Sequence, residues 1–248
     1  MNAFLSALGF LTRIPIPEDS GINSSSLSQS IIFFPVVGGI IGAVAAGIYL
    51  ILKPFLPGPV LCVLVMAVPL FLSGGIHFDG LLDTCDGIFS GRSRERSLEI
   101  MRDSRVGSMG VAAGVLDLLL RYSILVTLPG ANIPFLLIGQ AVIGRWVIAL
   151  AVHFFPYARQ EGLGQAFSID KRISSIILSS FFTLIIIMVS NGGYGVLSFL
   201  SAGILSLLIA RWVAGRLGGL TGDVYGALNE VGEILFLLVW LVGSINYS

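Results

Sequence analysis

The chain has 248 residues, with 14 Lys or Arg balanced by 14 Asp or Glu, so its formal net charge is zero. Only 11% of residues are charged and 55% are hydrophobic, against about 25% charged in an ordinary soluble domain. That balance excludes a disordered chain, a basic nucleic-acid binder and a disulfide-stapled secreted domain. It reads as an all-α, polytopic integral membrane helix bundle, with residues 1–248 forming one membrane-embedded domain.

In chain order, Met1 to Leu11 is apolar but too short to cross a bilayer, which takes about 20 residues. It lacks the basic flank and cleavage site of a signal peptide, and would lie in the interface or pack on the bundle. Seven spans follow, at 31–52, 55–73, 109–128, 133–155, 173–190, 194–214 and 231–245. The last extends N-terminally into the polar segment before it. Gly38, Gly39, Gly42 and Gly47 would let helices approach closely. Nothing suggests that Cys62 and Cys85 pair.

Seven spans place alternate loops on opposite sides. One side carries Arg13, Arg92, Arg94, Arg96, Arg102, Arg105, Arg159, Lys171, Arg172 and Arg216; the other carries Lys53. The positive-inside rule makes the first side cytoplasmic and puts the C-terminus outside. The acids follow the same division, with only Asp117 and Glu233 inside spans. A transporter usually shows its working polar groups near the midplane. An enzyme acting at the cytoplasmic surface fits this chain better.

The most informative stretch is Gly74-Gly75-Ile76-His77-Phe78-Asp79-Gly80-Leu81-Leu82-Asp83-Thr84-Cys85-Asp86-Gly87. Asp79, Asp83 and Asp86 stand at i, i+4 and i+7 and stack on one helix face. Three like charges there repel one another, and a divalent cation between them removes the penalty. Carboxylates with open water positions suit Mg²⁺ completed by substrate phosphate. The alternative is a solvated acidic face, which would have no need of the flanking glycines. Five arginines follow, and Arg binds phosphate oxygens bidentately. Arg92, Arg94 and Arg96 also read as positive-inside anchors. Arg102-Asp103-Ser104-Arg105 precedes a Gly-bearing helix start, which favours an anion.

A second acidic patch runs from Gly218 to Glu230. Laid against the first, Gly218, Gly219 and Asp223 match Gly74, Gly75 and Asp79, and Glu230 falls opposite Asp86. Both patches face the same side, so they are expected to converge on one site. Between them, Arg159 stands in a Gly-bearing loop, 157–164, that reads equally as a linker or a substrate lid. His77 is a general base, a substrate contact or a structural histidine. In the spans, Asp117 and Arg121 stand at i, i+4 and neutralise each other. Arg145 lies at a similar depth and is a second partner for Asp117, while Glu233 snorkels or extends the site.

The run 74–87 closely resembles the signature of the cobalamin synthase family, adenosylcobinamide-GDP ribazoletransferases. So do Phe10-Leu11-Thr12-Arg13-Ile14-Pro15-Ile16-Pro17, Ile100 to Gly107, Tyr157 to Arg159 with Gly162 to Gly164, and Gly218 to Ala227. The resemblance implies an inner-membrane, Mg²⁺-dependent transferase late in cobalamin synthesis. It would join adenosylcobinamide-GDP to α-ribazole, or its 5′-phosphate, and release GMP. It leaves room for a homo-oligomer or a complex with other corrinoid-pathway enzymes. On that reading Asp79, Asp83, Asp86 and Asp103 hold the metal, and Asp79, Asp83 and His77 are catalytic. Arg102, Arg105, Arg159, Asp223 and Glu230 bind substrate. The rivals are another Mg²⁺-dependent membrane enzyme, such as a CDP-alcohol phosphotransferase or a prenyltransferase, and a small transporter.

Overall fold

The structure is a computed structural model that describes residues 2–17, 24–159, 164, 167 and 171–246. Among these residues the helices are α1 (Asn2–Leu11), α2 (Ser24–Ser30), α3 (Phe34–Leu52), α4 (Gly58–Ser73), α5 (Ile76–Phe89) and α6 (Arg94–Ile100). They continue with α7 (Ser108–Thr127), α8 (Ile133–Phe154), α9 (Ile173–Leu217) and α10 (Gly222–Asn246). A 3₁₀ turn, Ile31–Phe33, joins α2 to α3. The described residues hold no strand, only a parallel bridge between Tyr157 and Leu220.

Among the described residues five helices are long and apolar enough to cross a membrane, and α4 with α5 passes as a sixth, bent by 90°. One of the five, α9, has 45 residues, about twice what a bilayer core takes at 1.5 Å per residue. It breaks at Gly192, whose φ of 60° and ψ of −152° leave the helical region. Trp146 on α8 shows what the break does. Its indole N–H donates to Ser180 Oγ at 2.9 Å, and its ring centroid lies 4.3 Å from that of Phe199. Residues 180 and 199 would stand roughly 28 Å apart on a straight helix. Both reach one tryptophan because 173–191 and 193–217 fold back as a hairpin. That brings the apolar spans to about seven, as the hydropathy pattern predicts. The last begins at Gly222, earlier than 231.

The hub is α8, which is buried along nearly its whole length against α3, α9 and α10. Gly38 and Gly42 on α3 make that possible. A Cβ on Gly42 would stand 2.5 Å from Ile138 Cα and Leu137 O, and one on Gly38 would strike Ala141 O. The backbones touch where side chains are absent. Val111, Val115 and Leu119 on α7, and Ile177, Phe181 and Ile185 on α9, are exposed apolar residues. They form the faces that a bilayer would cover. Helix α1 packs on the bundle, with Ser6 Oγ donating to Ser26 Oγ at 3.1 Å and Phe10 lying 4.5 Å from Phe167 between centroids.

The two matched motifs adopt the same local form. Helix α4 ends in Gly74 and Gly75, both left-handed, with φ of 65° and 74°. Their N–H groups donate to Phe71 O and Leu70 O, and the chain leaves as α5. Helix α9 ends in Gly218 (φ 73°) and Gly219 (φ 149°) and leaves as α10. Side chains with a Cβ rarely enter these conformations. The second helices then cross. A Cβ on Gly80 would stand 2.5 Å from Asp223 O, and one on Gly226 would stand 3.0 Å from the His77 backbone. Each helix brings a glycine to the other's backbone.

Candidate active site

The α5–α10 crossing gathers the acids of both motifs. On α5, which the 90° turn carries away from the α4 span, Asp79 is exposed and Asp83 half-buried. The Asp83 carboxyl is pushed up to about 7. Burial is the largest cause, followed by the charges of Asp79, Asp223 and Asp86, with Arg159 opposing them. Negative charge therefore exceeds positive charge around Asp83. A cation placed there would relieve it.

Asp86, the third acid of the face, is engaged otherwise. Its Oδ2 accepts from Gly107 N–H at 2.6 Å and its Oδ1 from Gly110 N–H at 2.8 Å. It caps the N-terminus of α7, where unpaired N–H groups and the helix dipole favour a carboxylate. This ties the 101–107 segment against α5. A Cβ on Gly107 or Gly110 would collide with the carboxylate, which explains both glycines. Asp103 accepts from the Arg105 backbone N–H and guanidinium, the shortest bond being 2.7 Å. That bonding holds its carboxyl down at about 2. The Arg105 side chain is 87% exposed, so this pair points to solvent. Arg102 is exposed on the same segment, and its charge is felt at the Tyr157 hydroxyl. Arg94 is structural: its Nε donates to Leu217 O at 2.6 Å, closing the C-terminus of α9.

On α10 the two acids of the second motif part company. Asp223 pairs with Arg159 at 2.7 Å. The bridge at Tyr157 positions that arginine, with Ala158 N–H donating to Leu220 O and Leu220 N–H to Pro156 O. The rest of the expected loop, 160–163, lies outside the described residues. Glu230 turns away from the crossing and accepts from Arg121 at 2.8 Å. This corrects its expected place beside Asp223: seven residues along a helix conserve the face but not the depth. Arg121 also bonds Glu233, Asp117 (3.3 Å) and Gln140 (3.3 Å). Arg145 bonds Glu233 and not Asp117. Glu233 neither snorkels nor reaches the site; it is locked between two guanidiniums.

His77 is 4% exposed and its Nδ1 is buried with no hydrogen-bond partner. Burial, then the Arg145 charge, pushes the ring's pKa well below its ordinary value. Two cavities meet at Asp79. One, of about 680 Å³, runs past Arg13, Gly74, Phe78 and Leu82. The other, of about 240 Å³, lies between His77, Tyr157, Arg159, Asp223 and Tyr225. Arg13 was not among the expected site residues. Its guanidinium packs so closely over Gly74 that a Cβ there would strike Nε, and the Arg13 backbone N–H donates to Leu72 O at 2.7 Å. Its signal lay in the Phe10–Pro17 motif, where it counted only as a charge for orientation.

Among the described residues no three His, Cys, Asp or Glu side chains form a ready-made metal cage. Mg²⁺ does not require one, since it is usually held by one or two carboxylates plus water and phosphate. The hard oxygens of Asp79 and Asp83, with the charge excess that raises Asp83, fit that ion. Cys62 and Cys85 are free thiols.

Comparison with known proteins finds relatives along nearly the whole chain. The chain is 40% identical over 247 residues to the adenosylcobinamide-GDP ribazoletransferase of Desulfitobacterium hafniense (strain Y51), covering 96% of both. It is 38% identical over 246 residues to that of Clostridium botulinum (strain Loch Maree / Type A3), covering 98% of both. With the relative of the same name in Escherichia coli (strain K12 / DH10B) it shares 35% over 246 residues, 96% of this chain and 98% of that one. No solved structure matches. The family model described as Cobalamin-5-phosphate synthase matches residues 3–241, and the chain belongs to that family.

Proposed function

We infer that the chain carries out adenosylcobinamide-GDP ribazoletransfer, a step of cobalamin synthesis, at the crossing of α5 and α10. The observation that carries this is near-full-length identity to relatives of that name. The reaction exchanges one phosphate ester for another. A ribose hydroxyl of α-ribazole, or of its 5′-phosphate, attacks the phosphorus next to the cobinamide, and GMP leaves. Such chemistry needs in-line positioning and charge neutralisation more than covalent help.

Asp79 and Asp83 would hold Mg²⁺ from α5, with Asp223 facing them from α10. When bound, the ion supplies neutralisation of diphosphate charge. Arg102 and Arg13, which form no ion pair among the described residues, would supply guanidiniums for phosphate oxygens. Arg159 holds Asp223 in place. Asp86 keeps the Arg102 segment against α5 by accepting from Gly107 N–H, and Asp103 holds Arg105 within that segment. The chain is a multi-pass membrane protein, and the excess of Lys and Arg on this side supports a cytoplasmic site in the inner membrane that the family resemblance implies.

The test is purified chain in lipid nanodiscs with adenosylcobinamide-GDP, α-ribazole and Mg²⁺. GMP and corrinoid product should appear in equal amounts, only with both substrates, and stop on chelation of Mg²⁺. GMP release without α-ribazole, or solute flux in vesicles without GMP, would overturn the reading.

A further inference from the structure

The smaller cavity beside Asp79 has a chemistry of its own. Its walls are flat and apolar: Phe10 from α1, Ile76 from α5, Ile148 from α8, and the rings of Tyr157 and Tyr225. Those two tyrosine rings stand 6.3 Å apart between centroids, tilted by 35°. Two polar atoms at this cavity are buried and unpartnered. One is His77 Nδ1 and the other is Arg159 Nε, on the guanidinium whose Nη2 donates to Asp223. Buried polar groups are nearly always paired in native proteins. Both residues border one cavity, and a ligand oxygen that reached either atom would complete it. The Arg159 N–H requires an acceptor, and His77 Nδ1 requires a hydroxyl or another polar partner.

We propose that this cavity, built by His77, Arg159, Tyr157 and Tyr225, seats the acceptor nucleoside, its aromatic base among the rings and its ribose hydroxyls toward His77, Arg159 and Asp79. The proposal rests on the transferase reading above and adds the place of the second substrate. A volume of about 240 Å³ is of nucleoside size and far too small for a corrin ring. The adjoining cavity of about 680 Å³ is the wider mouth. Asp79 borders both, so a sugar hydroxyl leaving the small cavity meets the diphosphate at the carboxylates. An aromatic nucleoside also occurs in the donor, as guanosine. Its base edge carries amide and amino groups that need partners of their own, and competition by GMP separates the two occupants.

The experiment uses the full chain in nanodiscs with α-ribazole alone, by equilibrium dialysis, and then in turnover with both substrates. Two variants alter the cavity without entering the carboxylate cluster. Tyr157→Ala removes a wall, and Gly222→Leu fills the space, since a Cβ on Gly222 meets nothing within 4 Å. Each should weaken α-ribazole binding and raise its KM by about tenfold or more, a loss of one well-placed contact. The KM for adenosylcobinamide-GDP should stay within about twofold, and GMP should not displace α-ribazole. A rise confined to the donor's KM, an equal rise in both, or displacement by GMP would overturn the seat. Wild type that forms no GMP from the two substrates would instead overturn the transferase reading. Wild type that turns over while the variants split the wrong way would leave that reading intact and remove only the seat.

Discussion

Two clusters of charge sit two helical turns apart on α10, and they obey opposite rules. Around Glu230 and Glu233 each carboxylate faces a guanidinium, the groups are largely buried, and the neighbouring void is only about 30 Å³. Around Asp223 the carboxylates of α5 and α10 outnumber Arg159, and two cavities open at their edge. Inside apolar helices a charge persists only when paired. At the crossing, charge excess persists because substrate and cation can complete it. The closed cluster holds α7, α8 and α10 together, and the open one is left for chemistry.

Breaking the closed cluster should have the largest effect on folding. Arg121→Ala leaves Asp117 and Glu230 without a guanidinium in a buried site and Glu233 with Arg145 alone. Loss of one partner from a buried pair costs about 3–5 kcal/mol. Unfolding in mixed micelles should show that loss, and activity should fall with the folded fraction. A variant as stable as wild type would show that the network does not hold the bundle. The open cluster should answer the other way. Asp83→Asn should cost on the order of 10²–10³ in kcat, by analogy with removing one preorganised transition-state stabiliser, while stability stays equal or rises as like-charge repulsion is relieved. Near-wild-type turnover at saturating Mg²⁺ would remove Asp83 from the site.

The division between the clusters was only half legible in the sequence. Span number, the two glycine-led motifs and their convergence follow from hydropathy, loop charge and the Gly-Gly-x-x-x-Asp match. Those are local signals, and the crossing of α5 over α10 follows once both lie on one side. Pairings across helices do not follow. Glu233 finds Arg145, 88 residues earlier, because the α8–α10 register is set by packing that periodicity does not encode. Asp86 looks like Asp79 and Asp83 on a helical wheel. It differs because α7 starts beside it and offers two N–H groups. Arg13 counts as one more loop charge until α1 folds back on the bundle and brings it to Gly74.

The crossing itself can be perturbed with less effect. A methyl on Gly80 would stand 2.5 Å from the Asp223 carbonyl, whereas a Cβ on Gly47, in the α3 span, meets nothing within 4 Å. Gly80→Ala should cost about 1–3 kcal/mol by overpacking and lower activity by parting Asp79 from Asp223. Gly47→Ala should be neutral or stabilise by up to about 1 kcal/mol. Thermal unfolding of the two variants side by side reads the difference. Equal effects would mean that α5 and α10 are not in backbone contact.

The smallest contrast separates two arginines three residues apart. Arg105 is bound to its own neighbour, Asp103, and its side chain is 87% exposed. Arg102 is exposed, has no such pair, and acts electrostatically on Tyr157. If the open cluster binds a diphosphate, Arg102→Ala should raise the KM for adenosylcobinamide-GDP by about tenfold, the loss of one charge-assisted contact. Arg105→Ala should change it by about twofold or less, because its charge is already cancelled by Asp103. The acid limb sharpens this. The Asp103 carboxyl is held at about 2, so its pairing with Arg105 is complete above the ordinary carboxylate range and is lost only as pH falls through about 2. No working pH then frees Arg105 by protonating its partner. An Asp103→Asn variant does free it, and should make the KM depend on Arg105 where wild type does not. A KM indifferent to Arg102 but sensitive to Arg105 in wild type would mean that this segment presents its other face to the substrate.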